Sequence, residues 1–185
     1  MKRRAALGAI RIIIESGLEL DVPELLDAAL GQFRHAFDAG KTRELVHNFM
    51  LERLRGYCLD RGYRLDEFEA VLAVWPASLV DFERRLGAVR AFRHLPEAES
   101  LAAANKRIRN ILRKAGEAVV ANVDDAGLSE PAEKALLEAV RDARESTLPM
   151  LQQGDYAAAL RRLAQLRADA RRLAETARPT RWGKR

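Results

Sequence analysis

Apolar residues recur at spacings of three and four along almost the whole chain, and breaks rich in Gly, Pro and Asp divide this pattern into about eight segments. Such spacing places apolar side chains on one side of an α-helix, whereas a half-buried strand would need strict alternation. Only 6% of the 185 residues are aromatic, and Ala, Leu, Arg and Glu dominate, which also favours helix. Short breaks between antiparallel helices predict an all-α helical bundle.

Capping residues and breakers predict where the helices begin and end. The first helix is expected over Arg4–Ser16 with Gly17 as its stop, and the second between Asp21 and Gly31. The same signals predict a third helix over Thr42–Gly62, a fourth from a capping box at Asp66 and Glu69 to Trp75, and a fifth from Ser78 to a stop before Pro96. A sixth helix is predicted over Ala98–Ala115. The last two are predicted from Ser129-Glu130-Pro131 to Pro149 and Gly154, and from Asp155 to Arg167. In the penultimate helix, Leu136, Leu137 and Val140 are expected to face inward.

Cysteine usage and hydropathy limit the class of protein. Cys58 is the single cysteine, so disulfides and cysteine metal clusters are excluded within the chain, and a buried small hydrophobe is expected there. The longest apolar run, around Ile12–Ile14, is interrupted by Arg11 and Glu15, so no membrane span is predicted. The start lacks an apolar signal core, and we expect a cytoplasmic protein.

No pattern in the sequence predicts an active site. His35, His47 and His94 are scattered and do not form a metal-ligand spacing. A phosphate-binding loop, a Gly-rich dinucleotide turn and a Gly-x-Ser-x-Gly elbow are all missing. We therefore expect neither catalytic residues, nor a metal site, nor a cofactor bound by this chain.

One predicted helix, Ala98–Ala115, carries a basic face. With Ile108 as the centre of its apolar stripe, one group of polar residues falls on the opposite side without any acidic residue among them. These are Lys106, Arg107, Arg109, Asn110, Arg113 and Lys114. Helix surfaces normally mix signs because opposite charges four residues apart stabilise and like charges destabilise. The pattern therefore predicts that the counter-charge comes from outside the chain, as in contact with RNA phosphates.

Two other interpretations compete with RNA contact. Cations near a helix C-terminus complement the helix dipole, which accounts for Arg113 and Lys114 but not for Lys106. The spacing alone leaves phosphate contact and a plain solvated face equally open. Basic residues elsewhere, such as those around Arg55, alternate with acids and indicate a self-compensated surface. Tyr63 and Trp75, near helix ends, are the remaining candidates for stacking on bases.

The stretch Ala102-Ala-Ala-Asn-Lys-Arg-Ile-Arg-Asn-Ile-Leu-Arg-Lys114 closely resembles a segment of the bacterial glycyl-tRNA synthetase beta subunit, Ala-Ala-Asn-Lys-Arg-hydrophobic-x-Asn-Ile-Leu-Lys-Lys. Other stretches agree in order, among them Arg3-Arg-Ala-Ala-Leu-Gly-Ala-Ile-Arg-Ile, Phe49-Met-Leu-Glu-Arg-Leu-Arg-Gly-Tyr57 and Gly154-Asp-Tyr-Ala-Ala-Ala-Leu160. The resemblance covers Arg3–Arg167. After Arg167 the family continues with an apolar segment, whereas this chain is rich in Ala and Arg.

The resemblance implies a carboxy-terminal part of the beta subunit that binds the anticodon arm of glycine tRNA. It implies a remnant of the preceding helical domain over residues 1–30, a helical anticodon-binding domain of the arginyl-tRNA-synthetase type over 31–167, and an atypical, disordered tail over 168–185. Glycine activation in the family belongs to a separate alpha subunit of a heterotetramer, so ATP and magnesium would act on the complete enzyme. The rival interpretation is a helical interaction module whose basic face meets an acidic surface of another subunit or domain.

Overall fold

The computed structural model describes residues 2–115, 128 and 130–176. These residues form eight helices and no strand, apart from an isolated bridge between Asp21 and Ser78, which confirms the all-α prediction. The helices are α1 (Lys2–Glu15), α2 (Val22–Leu30), α3 (Ala39–Asp60), α4 (Leu65–Leu72), α5 (Leu79–Arg93), α6 (Ala98–Ala115), α7 (Pro131–Gln152) and α8 (Tyr156–Thr176). Over the described ranges, no helix combines the length and the apolar character that crossing a membrane requires.

The chain divides into two compact units between Arg90 and Ala91. We call the part up to Arg90 unit 1 and the part from Ala91 unit 2. Within unit 1, α2 packs against α3 across the predicted domain border at residues 30 and 31, and α1 also packs against α3. The helices of the first thirty residues therefore share a core with the helices that follow. That these residues are a remnant of a preceding helical domain stays a prediction.

The core of unit 1 forms where apolar stripes of all five helices meet. Ile10 of α1, Leu54 of α3 and Leu86 of α5 are almost completely buried. Phe82 of α5 lies with its ring centroid 5.2 Å from that of Phe68 of α4. The remaining buried apolar residues of this core are Ile13, Ile14, Val22, Leu26, Tyr57, Cys58, Val71, Leu79 and Val80. The predicted three-and-four periodicity is thus the pattern that builds this unit.

Most predicted helix ends of unit 1 are confirmed by their capping geometry. Gly17 adopts a positive φ of 64° after α1, a conformation that an L side chain disfavours. The Asp21 carboxylate accepts a hydrogen bond from the Glu24 amide at 2.9 Å, and Ser78 Oγ accepts one from the Asp81 amide at 3.3 Å. The short polar residues Asp21 and Ser78 therefore predicted these helix starts correctly.

The predicted capping box at Asp66 and Glu69 is wrong. The N-cap of α4 is Arg64, two residues before Asp66, and the Arg64 amide donates to the Glu67 carboxylate at 2.9 Å. Glu67 is buried, whereas Glu69 is exposed. Packing against the core therefore holds the Glu67 carboxylate, and not that of Glu69, where it accepts the hydrogen bond from the N-cap amide. The helix also ends at Leu72 instead of continuing to Trp75, whose φ of 28° lies outside the helical region.

Unit 2 is built on an antiparallel hairpin of α7 and α8. Gly154 turns the chain with a φ of 72°, and the Asp155 carboxylate accepts a hydrogen bond from the Ala158 amide at 2.9 Å. Buried Ala143 on α7 and buried Ala159 and Ala164 on α8 let the two helices approach closely, because a small side chain sets a short interaxial distance. The predicted cap at Asp155 is therefore confirmed.

Three predictions about unit 2 are corrected. Leu136 and Val140 do not face a core, since they are 42% and 44% exposed; burial along this stripe is reached only at Ala143 and Thr147, nearer the hairpin turn. The helix α7 passes through Pro149, where it loses one backbone hydrogen bond to the carbonyl four residues earlier. The helix α8 continues to Thr176, so residues 168–176 of the predicted tail are helical, as Ala and Arg favour. Residues 177–185 and Ser129 lie outside the described residues.

Cys58 is buried and has a free thiol, as predicted. Burial raises its pKa to about 12, and the nearby Glu83 carboxylate adds to this rise. The thiolate, which is the reactive form, is therefore scarce at neutral pH.

We predict that Ellman's reagent at pH 8 leaves native Cys58 unmodified and reacts only as urea opens unit 1. Unfolding exposes the sulfur and returns its pKa towards the ordinary value of 9.0, so both access and thiolate fraction increase. Since Cys58 is the single cysteine, the absorbance at 412 nm reports this residue alone. Rapid stoichiometric reaction in the absence of urea would contradict the burial of the thiol.

We also predict that Phe82→Ala lowers the free energy of unfolding of unit 1 by about 3–5 kcal/mol, because it leaves a cavity beneath Phe68. Urea titration followed by tryptophan fluorescence measures this in a Trp182→Phe background, where Trp75 is the remaining tryptophan. The matched control is Leu45→Ala, since Leu45 is 61% exposed and its truncation should change the free energy by no more than about 0.5 kcal/mol. Equal effects of the two substitutions would contradict this core.

Candidate nucleic-acid interface

The helix α6 spans Ala98–Ala115, the range predicted from the sequence. Glu99 lies in its first turn, and Arg113 and Lys114 lie in its last turn. This distribution complements the helix dipole, in which negative charge is favoured at the start and positive charge at the end. The local sequence therefore stabilises the helix end on which the basic face is displayed.

All six residues predicted for the basic face are exposed. Three- and four-residue steps from Lys106 lead to Arg109 and Asn110, and then to Arg113 and Lys114, so they follow one side of the helix over about 12 Å of its axis. Arg107 lies beside this row. The structure brings together what the sequence predicted, and this set is called the basic face below.

The charges of the basic face have no acidic partner among the described residues. Among the residues that the structure describes, no carboxylate forms an ion pair with Lys106, Arg107, Arg109, Arg113 or Lys114. The Arg113 guanidinium instead donates to the Asn110 side-chain oxygen at 3.3 Å. That neutral partner restrains one guanidinium on the face and leaves its charge available to an anion.

Several arginines elsewhere in the described chain form ion pairs with acidic residues. In unit 1, Arg43 pairs with Asp27 at 2.9 Å, and Arg61 pairs with Glu83 at 3.4 Å. Further pairs join Arg11 to Glu15, Arg84 to Glu19, Arg85 to Asp81, and Arg162 to Asp142. This contrast supports the interpretation of α6 as a surface built for an external anion, because ordinary helix surfaces of this protein mix their charges.

The two residues predicted as weak stacking candidates are engaged within unit 1. Arg90 places its guanidinium carbon 3.8 Å from the Tyr63 ring centroid, a cation–π contact that occupies a ring face. Burial raises the pKa of Tyr63, and the positive charge of Arg90 opposes this rise. The Trp75 ring makes edge contacts with His47 and Phe82. Both rings pack against the core of unit 1.

Sequence reasoning missed a second exposed feature, the connection between α2 and α3. Phe33 and Phe37 in this connection are 64% and 41% exposed, and their ring centroids are 5.9 Å apart in an edge-to-face arrangement. The signal was present as Phe33-Arg34-His35-Ala36-Phe37, where aromatic and basic residues are interleaved. This segment lacks the three-and-four spacing of apolar residues that marks a helix face, so helical periodicity does not reveal it.

Comparison with known proteins shows what this chain is similar to. The family model described as "Glycyl-tRNA synthetase beta subunit" matches residues 2–73. The glycine–tRNA ligase beta subunit of Xanthomonas campestris pv. campestris is 48% identical over 171 residues, which cover 89% of this chain and 24% of that protein. The corresponding subunits of Pseudomonas aeruginosa and Leptothrix cholodnii are 47% identical over 165 residues and 48% identical over 166 residues.

Over 89% of its length the chain is similar to glycyl-tRNA synthetase beta subunits. The resemblance expected from the sequence is thereby confirmed. The chain spans about a quarter of the length of these curated relatives, 24% of the Xanthomonas subunit and 23% of the Leptothrix subunit. The family model covers α1–α4 of unit 1, and any stretch that makes up 89% of the chain also includes α6. Likeness to the family thus extends to the helix that carries the basic face.

The like charges along the basic face lead to a prediction about stability. Arg109 has Lys106 three residues before it and Arg113 four residues after it, and each like-charged neighbour destabilises the helix. Arg109→Ala should therefore raise the free energy of unfolding by about 0.2–1 kcal/mol at low salt, as measured by urea titration with circular dichroism at 222 nm.

The matched control is Lys134→Ala on α7. Lys134 lies four residues from both Glu130 and Glu138, so the same truncation should destabilise slightly. Both effects should shrink in 1 M NaCl because salt screens exposed charges. If Arg109→Ala destabilises at low salt, the basic face is not a site of self-repulsion.

Proposed function

We propose that this chain is the tRNA-binding portion of a glycine–tRNA ligase beta subunit, and that it contacts the anticodon arm of glycine tRNA through α6. The observation that carries this proposal is the basic face, whose five cations have no acidic partner among the described residues. An RNA backbone offers a row of phosphates, and desolvated contacts between Arg or Lys and phosphate are charge-assisted. Similarity to glycine–tRNA ligase beta subunits supports tRNA as the polyanion.

The proposed role of the basic face is positioning. Contacts to phosphates fix the register and orientation of a nucleic acid but carry no sequence information. Lys106, Arg107, Arg109, Arg113 and Lys114 would therefore hold the arm, with Asn110 restraining Arg113 or donating to a backbone oxygen. Reading of bases would belong to other residues.

The proposal also includes the setting in which the chain acts. A complete glycine–tRNA ligase would supply glycine activation from its alpha subunit, with ATP and magnesium, in a heterotetramer in the cytoplasm. This chain would contribute RNA binding to that assembly and would supply no catalytic group. A basic face that meets an acidic protein surface is the competing function, and the same charge supports it.

Charge reversal tests the proposal. Lys106→Glu with Arg109→Glu should weaken binding of glycine tRNA by at least an order of magnitude in a filter assay. The neutral pair Lys106→Ala with Arg109→Ala should make the plot of log affinity against log salt shallower by about one unit for each phosphate that is no longer bound. Binding of a non-cognate tRNA should weaken in parallel, because cations recognise phosphates independently of sequence.

The control for charge reversal is Lys134→Glu with Arg141→Glu, two exposed residues of α7 in the same unit. It changes the net charge by the same amount, so it should reproduce a nonspecific loss of affinity but not the larger effect of α6. Equal effects of the two pairs would argue against a dedicated face. Unchanged tRNA binding, together with loss of binding to the remaining parts of the synthetase, would assign the face to an acidic protein surface.

A further inference from the structure

A second surface in unit 1 combines exposed aromatic rings with unpaired positive charge. It consists of the α2–α3 connection and the groove beside it, a cavity of about 500 Å³ between α2 and α3. Its lining includes Leu30, Phe33, His35, Phe37 and Val46. This volume lies within the range of small-molecule sites, which are mostly apolar with a few polar groups that fix orientation.

The two phenylalanines are placed where a flat ring could stack on them. In their edge-to-face contact the interplanar angle is 79°, so at least one ring keeps both faces clear of the other. Phe33 is 64% exposed and lies outside any helix. A protein gains nothing in stability from holding such a ring in water, and an exposed aromatic beside a groove is typical of a binding surface.

Charge around the groove favours a polyanion as the source of that flat ring. Arg34 and Lys41 are exposed, and neither forms an ion pair among the described residues. Two nearby acids have local partners: Asp38 accepts the Lys41 amide at 2.9 Å, and Asp27 pairs with Arg43. His35 and Thr42, which also line the groove, supply the polar atoms that could bond to the edge of a heterocycle.

We propose that this surface, the aromatic groove, binds an unpaired nucleobase of single-stranded RNA by stacking on Phe33 and Phe37, with Arg34 and Lys41 against the flanking phosphates. Single-stranded sites of this kind combine aromatic platforms with cations that follow the backbone. The inference rests on the proposed function in that the chain binds RNA, but it names a different surface and a different ligand group. The basic face contacts phosphates, whereas the aromatic groove contacts bases.

The experiment compares two six-nucleotide RNA strands of equal charge, one of uridines and one of abasic sugar-phosphate units. Fluorescence anisotropy with the full chain measures both affinities. Native protein should prefer the uridine strand, and Phe33→Leu with Phe37→Leu should remove roughly a tenfold preference, since leucine is apolar but cannot stack. Phe33→Tyr with Phe37→Tyr should keep the preference for the uridine strand, because tyrosine rings stack equally well.

Leu45→Ala is the matched control, since Leu45 is as exposed as Phe33 and does not line the groove. Replacing uridine by 5-bromouridine should yield a photocrosslink within residues 33–37, mapped by mass spectrometry. Circular dichroism of each variant verifies folding. Equal affinity of native protein for the two strands, or a leucine pair that keeps the preference, overturns the inference; the latter would assign the groove to an apolar protein segment.

The failures of the two proposals are distinguishable in this assay. Lys106→Glu with Arg109→Glu should weaken both strands equally, because it removes phosphate contacts alone. If that pair changes neither affinity while the leucine pair removes the preference, the basic face is not the RNA site but the aromatic groove stands. If charge reversal weakens binding of both strands and no variant alters the preference for uridine, the proposed role of the basic face is supported and that of the aromatic groove is overturned.

Discussion

Burial of apolar stripes between helices is the constraint on which unit 1 depends. No single helix of this unit can hide its own stripe, and α4 is too short to be stable alone in water. Phe82 links these stripes, because its ring lies near both Phe68 of α4 and Trp75 of the following turn. Once this contact forms, Trp75 is held at a positive φ that a bulky residue would otherwise avoid. Packing therefore overrides local backbone preference at the end of α4.

The sequence predicted the elements best where local chemistry decides them. Ala98–Ala115 and the caps at Asp21, Ser78 and Asp155 depend on residues only a few positions apart, and all agree with the structure. It failed where tertiary packing decides, as at Glu67, whose burial moves the capping box. The six residues predicted for the basic face are exposed along one side of α6 because helical spacing brings them together, and their contact with RNA stays a prediction. Phe33 was missed, because no periodicity marks an exposed connection.

Two kinds of positive surface in this protein illustrate how stability and binding make opposite demands. Pairs such as Arg43 with Asp27 satisfy each charge within the chain and leave little attraction for a ligand. The cations of the basic face have no such partner among the described residues, and the like charges along α6 repel one another. Similarity to glycine–tRNA ligase beta subunits is the context in which we propose tRNA as the polyanion that supplies the counter-charge.

The isolation of Cys58 has a practical consequence for spectroscopy. Because the one native thiol is enclosed by the core of unit 1, a cysteine introduced at an exposed position such as Ala102 can be labelled selectively without first deleting Cys58. A fluorophore or spin label can then be attached beside α6, or in the α2–α3 connection, in an otherwise native background. The mobility and solvent exposure of each labelled site become measurable one site at a time, and the core remains chemically unmodified.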